Sequence, residues 1–150
     1  MLKKITSGGQ TGADRGGLLA GKALRLETGG TAPHNFITER GIDDSLRDFG
    51  LIEGEYDPKI YPKRTKANVR DSDGTLLMVD IGSPGSRLTL RLCKELDKPY
   101  VINPVPLILK EWATRLNIET LNVAGNRESK TPGIEQETFD LLVNTFVREE

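Results

Sequence analysis

Gly8, Gly9 and Gly12 surround Gln10 and Thr11, and Asp14 and Arg15 follow at once. These residue types at this spacing suit anion chemistry. Glycine lets main-chain amides approach a ligand and adopt positive φ angles. The first amides of a helix have no acceptor within it, and they carry the positive end of its dipole. A helix that opens here therefore attracts phosphate or another oxyanion. The expected set at this turn is Gly8, Gly9, Gln10, Thr11, Gly12, Asp14 and Arg15. The amides of Gly8 to Gly12 take the phosphate, Gln10 and Thr11 read polar edges, and Asp14 either meets the ligand or caps the helix. The pattern is not the dinucleotide fingerprint G-x-G-x-x-G. Gly16 to Ala23 spells G-x-x-x-x-G-K-A, but this lacks the closing hydroxyl residue of a P-loop and falls inside the helix.

A second helix start reads Gly82-Ser83-Pro84-Gly85-Ser86-Arg87. Serine as cap and proline in the first turn mark the boundary. Free amides, two hydroxyls and one guanidinium cradle a second anionic group, which adds Gly82, Ser83, Gly85, Ser86 and Arg87 to the expected site. A third polar stretch, Asn122 to Ser129, contributes Asn126 and Arg127, with Ser129 beside them. Asp71-Ser72-Asp73-Gly74 looks like the start of a calcium loop. The position that needs a closing glutamate holds Gly82, so the segment reads as a turn. The one histidine, His34, and the one cysteine, Cys93, make no zinc-spaced cluster and no nucleophile–histidine–acid set, and no metal site is expected.

The elements that must position these residues alternate between strand and helix. Strands are expected at Leu2–Thr6, Thr28–Ala32, Thr75–Ile81, Tyr100–Ile102 and Thr120–Ala124. Helices are expected from Asp14 to Glu27, Lys63 to Ser72, after Ser83-Pro84, from Pro106 to Leu116, and from Thr131-Pro132 onward. Residues 33–62 read as a long functional loop with one short helix at Asp43–Phe49. Five strands alternating with helices imply an open parallel sheet covered on both faces. Right-handed crossovers bring the loops after each strand to one edge, where ligands bind at the reversal of strand order.

One domain is the natural size for 150 residues. The formal net charge is -1 and aromatic residues make up 5%, which argues against nucleic acid as a partner. A lone cysteine, with no apolar run long enough for a membrane helix and no signal-peptide core, points to the cytoplasm.

Ser7-Gly-Gly-Gln-Thr-Gly-Ala-Asp-Arg15 resembles the signature of the family named putative molybdenum carriers, relatives of molybdenum-cofactor carriers. The likeness continues through Pro33-His34, Glu39-Arg-Gly41, Arg64-Thr65, Asn68-Val69, Asp71-Ser-Asp-Gly-Thr75, Leu121-Asn-Val-Ala-Gly125 and Arg127-Glu-Ser129. It implies a Rossmann-like fold in the group that includes the lysine-decarboxylase-like phosphoribohydrolases and the single-strand-DNA-processing proteins. Members of that group bind nucleotides or nucleotide-derived ligands at the glycine turn. The phosphoribohydrolases carry P-G-G-x-G-T-x-x-E after a central strand. This chain reads Pro84-Gly-Ser-Arg-Leu-Thr-Leu-Arg91 there, with no glutamate in register.

The first expectation is therefore a carrier of a phosphorylated nucleotide- or pterin-like ligand, with the molybdenum cofactor or a nucleotide as candidates. Arg15 or Arg87 neutralises the charge and Asn126 reads a polar edge. The metal of such a cofactor arrives on the cofactor's own sulfurs. The alternatives are a nucleoside-monophosphate phosphoribohydrolase, with Asp14, Asp80 or Glu128 as its carboxylate, and a ligand sensor that reports to a protein partner. Apolar sheet edges or helix faces leave room for a homodimer.

Overall fold

The structure is a computed structural model that describes residues 1–56, 62–80 and 83–147. Six strands form one sheet: β1 (Lys4–Thr6), β2 (Glu27–Ala32), β5 (Leu51–Glu53), β6 (Gly74–Met78), β7 (Tyr100–Ile102) and β8 (Thr120–Gly125). Their spatial order is β5-β2-β1-β8-β6-β7, and every pairing is parallel. Two short strands, β3 (Ile37–Thr38) and β4 (Gly41–Ile42), make a separate antiparallel hairpin. The helices are α1 (Ala13–Ala23), α2 (Pro62–Arg70), α3 (Pro84–Glu95), α4 (Pro106–Arg115) and α5 (Ile134–Phe146). The expected Rossmann-like α/β sheet is present, with a sixth strand.

Parallel strands buried on both faces need apolar side chains on both faces. Ile5, Leu76, Leu77, Leu121 and Val123 meet that need and are fully buried. Leu109, Trp112 and Leu142 from α4 and α5 pack with most of these residues in the main core. On the other face, Val69 of α2 packs with Leu92 and Cys93 of α3. A third cluster of Leu18, Ala32, Phe36, Leu46 and Leu51 anchors residues 33–51 against α1 and β2. That segment is thus not an open loop. It holds the hairpin, a 3₁₀ helix over Asp44–Phe49 and strand β5.

Several expected boundaries shift for identifiable reasons. α1 stops at Ala23, because Arg25 takes φ 59 and Glu27 pairs onward with Lys3 through a 3.1 Å hydrogen bond. β6 ends at Met78. The backbone of Val79 instead bonds the Asn103 side chain, its N–H to Oδ1 at 3.0 Å and its carbonyl to Nδ2 at 2.8 Å. α5 starts at Ile134 rather than at Thr131-Pro132, since Gly133 at φ 93 forms the N-cap. The Asp71–Gly74 segment is a turn: Asp73 Oδ2 accepts from the amides of Glu119 (3.0 Å) and Thr120 (2.9 Å) at the amino ends of the strands.

One position fixes how the strand ends meet. Gly125, the last residue of β8, has φ 159, and a Cβ there would stand 1.9 Å from the carbonyl oxygen of Met78. Only a residue without a side chain lets β8 lie this close to β6. Gly125→Ala is expected to destabilise the protein by more than about 3 kcal/mol. Gly133→Ala, at φ 93 with open space around it, should cost only the backbone strain of about 1–2 kcal/mol. Urea unfolding of both variants checks the difference.

Candidate functional site

The sheet order reverses around β8, which enters last and lies between β1 and β6. A cleft of about 400 Å³ opens at the carboxyl ends of these three strands. Leu77, Asn122, Ala124 and Gly125 form its floor. Arg64, Thr65 and Asn68 of α2 form one wall, and Ser83, Ser86, Leu88 and Thr89 at the start of α3 form another. Asn68 fixes the α2 wall to the sheet. Its Oδ1 accepts from the Thr31 amide at 2.8 Å, and its Nδ2 donates to the Thr31 carbonyl at 3.0 Å.

Of the residues expected from sequence, Gly8, Gln10, Asp14, Ser83, Ser86, Asn126 and Arg127 line this cleft. Gly9, Thr11 and Arg15 face a second cavity of about 270 Å³ behind the first turn. Gly85 and Arg87 lie in the first turn of α3, outside the lining, and Gly82 lies outside the described residues. Arg64, Thr65, Asn68, Asn122 and Lys130 line the cleft as well. Arg64, Thr65 and Asn68 were marked only by family-like stretches, Asn122 also opened the polar stretch after the last strand, and Lys130 carried no signal, because their proximity depends on how α2 and β8 meet β1.

The first turn is not a row of bare donors. The amides of Gly8 and Gln10 donate to the carboxylate of Asp14, the latter at 3.2 Å. The Gly9 amide donates to Ser7 Oγ at 3.2 Å, and the Thr11 amide to Gln10 Oε1 at 3.0 Å. The chain's own carboxylate thus occupies the place reserved for phosphate. Gly12 answers a packing need: a Cβ there would stand 2.3 Å from the carbonyl oxygen of Asn126. Asp14 is not the helix cap, since Gly12 fills that position.

The other polar groups of the turn are held by a latch. Gln10 Oε1 also accepts from the Glu39 amide at 2.9 Å. The Glu39 carboxylate accepts from the hydroxyls of Thr11 and Ser129 and from the Ser129 amide at 3.2 Å. The Ser129 and Thr11 hydroxyls hold its carboxyl below the usual range. Arg15 is paired with Asp43 at 3.2 Å and with Glu135 at 3.6 Å, so its charge serves the α1–α5 side. Glu128 accepts from the amides of Gly133 (2.7 Å) and Glu135 (3.0 Å), capping α5. Asp80 accepts from Thr131 Oγ1 at 2.7 Å. Among the three carboxylates considered from sequence, only Asp14 faces the cleft.

The start of α3 is less committed than the first turn. Ser83 is its N-cap residue, yet the Ser83 hydroxyl makes no capping bond. Its Oγ lies 3.0 Å from Ser86 Oγ and 3.2 Å from Asn126 Oδ1. The first amides of α3 thus point their dipole toward a cleft that Arg127 and Lys130 also line. Asn126 positions its neighbours, since both ends of its amide are committed to Ser83 and Thr131.

Comparison with known proteins agrees with this architecture. The profile described as the circularly permutated YpsA SLOG family matches residues 5–146. The chain belongs to that family. No curated protein matches it. It is similar to a crystal structure from Syntrophus aciditrophicus SB named "putative molybdenum carrier protein", with 34% identity over 98% of this chain and 96% of that one, and a TM-score of 0.88. In this SLOG-family chain, the described residues contain no group of three or more His, Cys, Asp or Glu side chains placed to hold a metal ion. Cys93 is buried and its thiol is pushed up by that burial. His34 lies in a different groove, 3.3 Å from a Glu53 oxygen and edge-on to Tyr56. No described helix is long and apolar enough to cross a membrane.

Asp14 carries the most perturbed carboxyl of the cleft. Burial pushes it from 3.8 to about 7, against the opposing pull of the Gln10 and Gly8 amides and the Arg64 charge. The folded state therefore holds this proton more tightly than the unfolded chain. Asp14's contribution to stability is full below pH 3.8 and is lost as pH rises toward about 7. Asp14→Asn, which keeps an acceptor for the amides, is expected to flatten that loss. Thermal melts of both proteins across the acid-to-neutral range check it.

Proposed function

We propose that the protein binds and carries a phosphorylated small molecule of nucleotide or pterin type in the cleft between β1, β8 and β6. One observation carries this reading: Arg64, Arg127, Lys130 and the uncapped start of α3 surround a single cavity where, among the described residues, Asp14 is the one acidic side chain. A cavity of about 400 Å³ is far larger than a tetrahedral oxyanion needs, and much of its lining is apolar. The phosphate sits at the start of α3 beside Ser83, Ser86 and Arg127, rather than on the first turn. The name of the Syntrophus protein supports a carrier role, and the molybdenum cofactor, with a phosphate and a pterin, has the right chemistry. The residues present fit its organic part, while its metal stays on its own sulfurs.

A second reading is favoured by Asp14 alone. A carboxyl poised near neutrality inside a cleft is a common mark of acid–base chemistry. Hydrolysis of a nucleoside monophosphate would release free base, which chromatography detects directly.

Titration calorimetry with AMP, inorganic phosphate and molybdate tests the carrier reading. AMP is expected to bind and to raise the melting temperature, by about 2.7 kcal/mol of stability at a hundredfold excess over Kd. Arg127→Gln should weaken AMP about tenfold or more, as loss of a charge-assisted hydrogen bond does, and leave the melting temperature of the free protein unchanged. Failure of every phosphorylated probe to bind overturns the reading.

A further inference from the structure

The hairpin of β3 and β4 carries Glu39 at its tip. Its turn is fixed from within: Thr38 Oγ1 accepts from the Arg40 amide at 3.1 Å and donates to the Gly41 carbonyl at 2.9 Å. Packing does little to hold the tip, since Ile37 and Ile42 are both exposed. Among the described residues, every hydrogen bond from residues 37–42 to the body of the protein is made by Glu39.

Those bonds reach two separate segments. The Glu39 amide donates to Gln10 Oε1 at 2.9 Å, and the carboxylate accepts from the Thr11 hydroxyl. The same carboxylate accepts from the Ser129 amide at 3.2 Å and from the Ser129 hydroxyl. Gln10 lines the cleft from the first turn. Arg127 and Lys130, which flank Ser129 in the chain, line it from the segment between β8 and α5. Residues 127–131 belong to no strand or helix. The first turn holds them also through the Glu128 amide, which donates to Thr11 Oγ1 at 3.2 Å, and that hydroxyl is itself oriented by Glu39. The Ser129 and Thr11 hydroxyls lower the Glu39 pKa most, and the Arg127 charge adds to their effect.

Resting on the carrier reading, we propose that Glu39 is a positioning residue of the cleft, a clasp on the hairpin that fixes Gln10 and the Arg127–Lys130 segment relative to each other before a ligand arrives. A segment without helix or strand bonds loses conformational freedom when it is ordered. Where the free protein has already ordered it, binding is spared that loss. Two effects of Glu39 oppose each other. Its negative charge weakens the pull of Arg127 on a phosphate, and its hydrogen bonds hold the segment that carries Arg127. Glu39 is exposed, so water and salt screen the first effect. The bonds from Thr11 and Ser129 are charge-assisted and converge on one carboxylate, so the second prevails.

The test is a double-mutant cycle read by titration calorimetry with AMP at neutral pH. Glu39→Ala is expected to weaken AMP about fivefold or more. Glu39→Gln, which accepts from one hydroxyl and donates to the other, should stay within about twofold of wild type. In an Arg127→Gln background, Glu39→Ala should cost less than about twofold, because the guanidinium that the clasp positions is gone. Should Glu39→Ala fail to fold, Ser129→Ala at an exposed position repeats the cycle, with a loss of about threefold that Arg127→Gln likewise abolishes. An unchanged affinity in Glu39→Ala overturns the proposal, as does an equal loss in both backgrounds. Tighter binding by both Glu39→Ala and Glu39→Gln overturns it too, since Glu39 then acts through its charge alone. If wild type does not bind AMP, the carrier reading falls and this inference with it. Binding that ignores Glu39 overturns this inference alone.

Discussion

The strand ends that build the cleft are held together by Asn126. Its N–H donates to the carbonyl of Met78 at 2.9 Å and its carbonyl accepts from Ala13 at 3.1 Å. Its side-chain Nδ2 donates to Thr131 Oγ1 at 2.9 Å, and its Oδ1 lies 3.2 Å from Ser83 Oγ. One residue thus joins the end of β6, the start of α1, the cap of α3 and the approach to α5. This requires two backbones to pass with no side chain between them, which Gly125 permits on one side and Gly12 on the other. Gly12, which looks like a ligand-binding feature in the sequence, belongs to this junction.

The remaining walls are fixed by similar short devices. Asn68 ties α2 to β2 through both amide atoms, and Asn103 does the same for Val79 just beyond β6. Glu39 reaches from the hairpin to Thr11 and Ser129. In the two asparagine cases a side chain pairs with both backbone groups of a residue at the end of its strand, so that the backbone there keeps its hydrogen bonds. A cleft framed in this way is largely formed before any ligand arrives, and little ordering cost is left for binding.

Much of this was readable from the chain. The apolar run before Met78 and the Ser83-Pro84 boundary mark a buried strand and the helix after it, and alternation of such units implies a parallel sheet with loops at one edge. β5 escaped notice because three residues, Leu51 to Glu53, carry too little periodicity to distinguish a strand from a loop. The first turn shows a deeper limit. Local sequence reveals that Gly8 to Thr11 offer amides, but it does not reveal that Asp14 folds back to accept from them. Arg64 and Asn122 reach the cleft only through the packing of α2 and the placement of β8, neither of which has a local signature.

The insertion of β8 between β1 and β6 also sets a timetable. Strands made early, at residues 4–6 and 74–78, have no direct ladder between them and wait for residues 120–125 to bridge them. On the ribosome, the central seam cannot close until residues 120–125 have emerged. A nascent product that lacks residues 120–125 therefore has no cleft between β1 and β6.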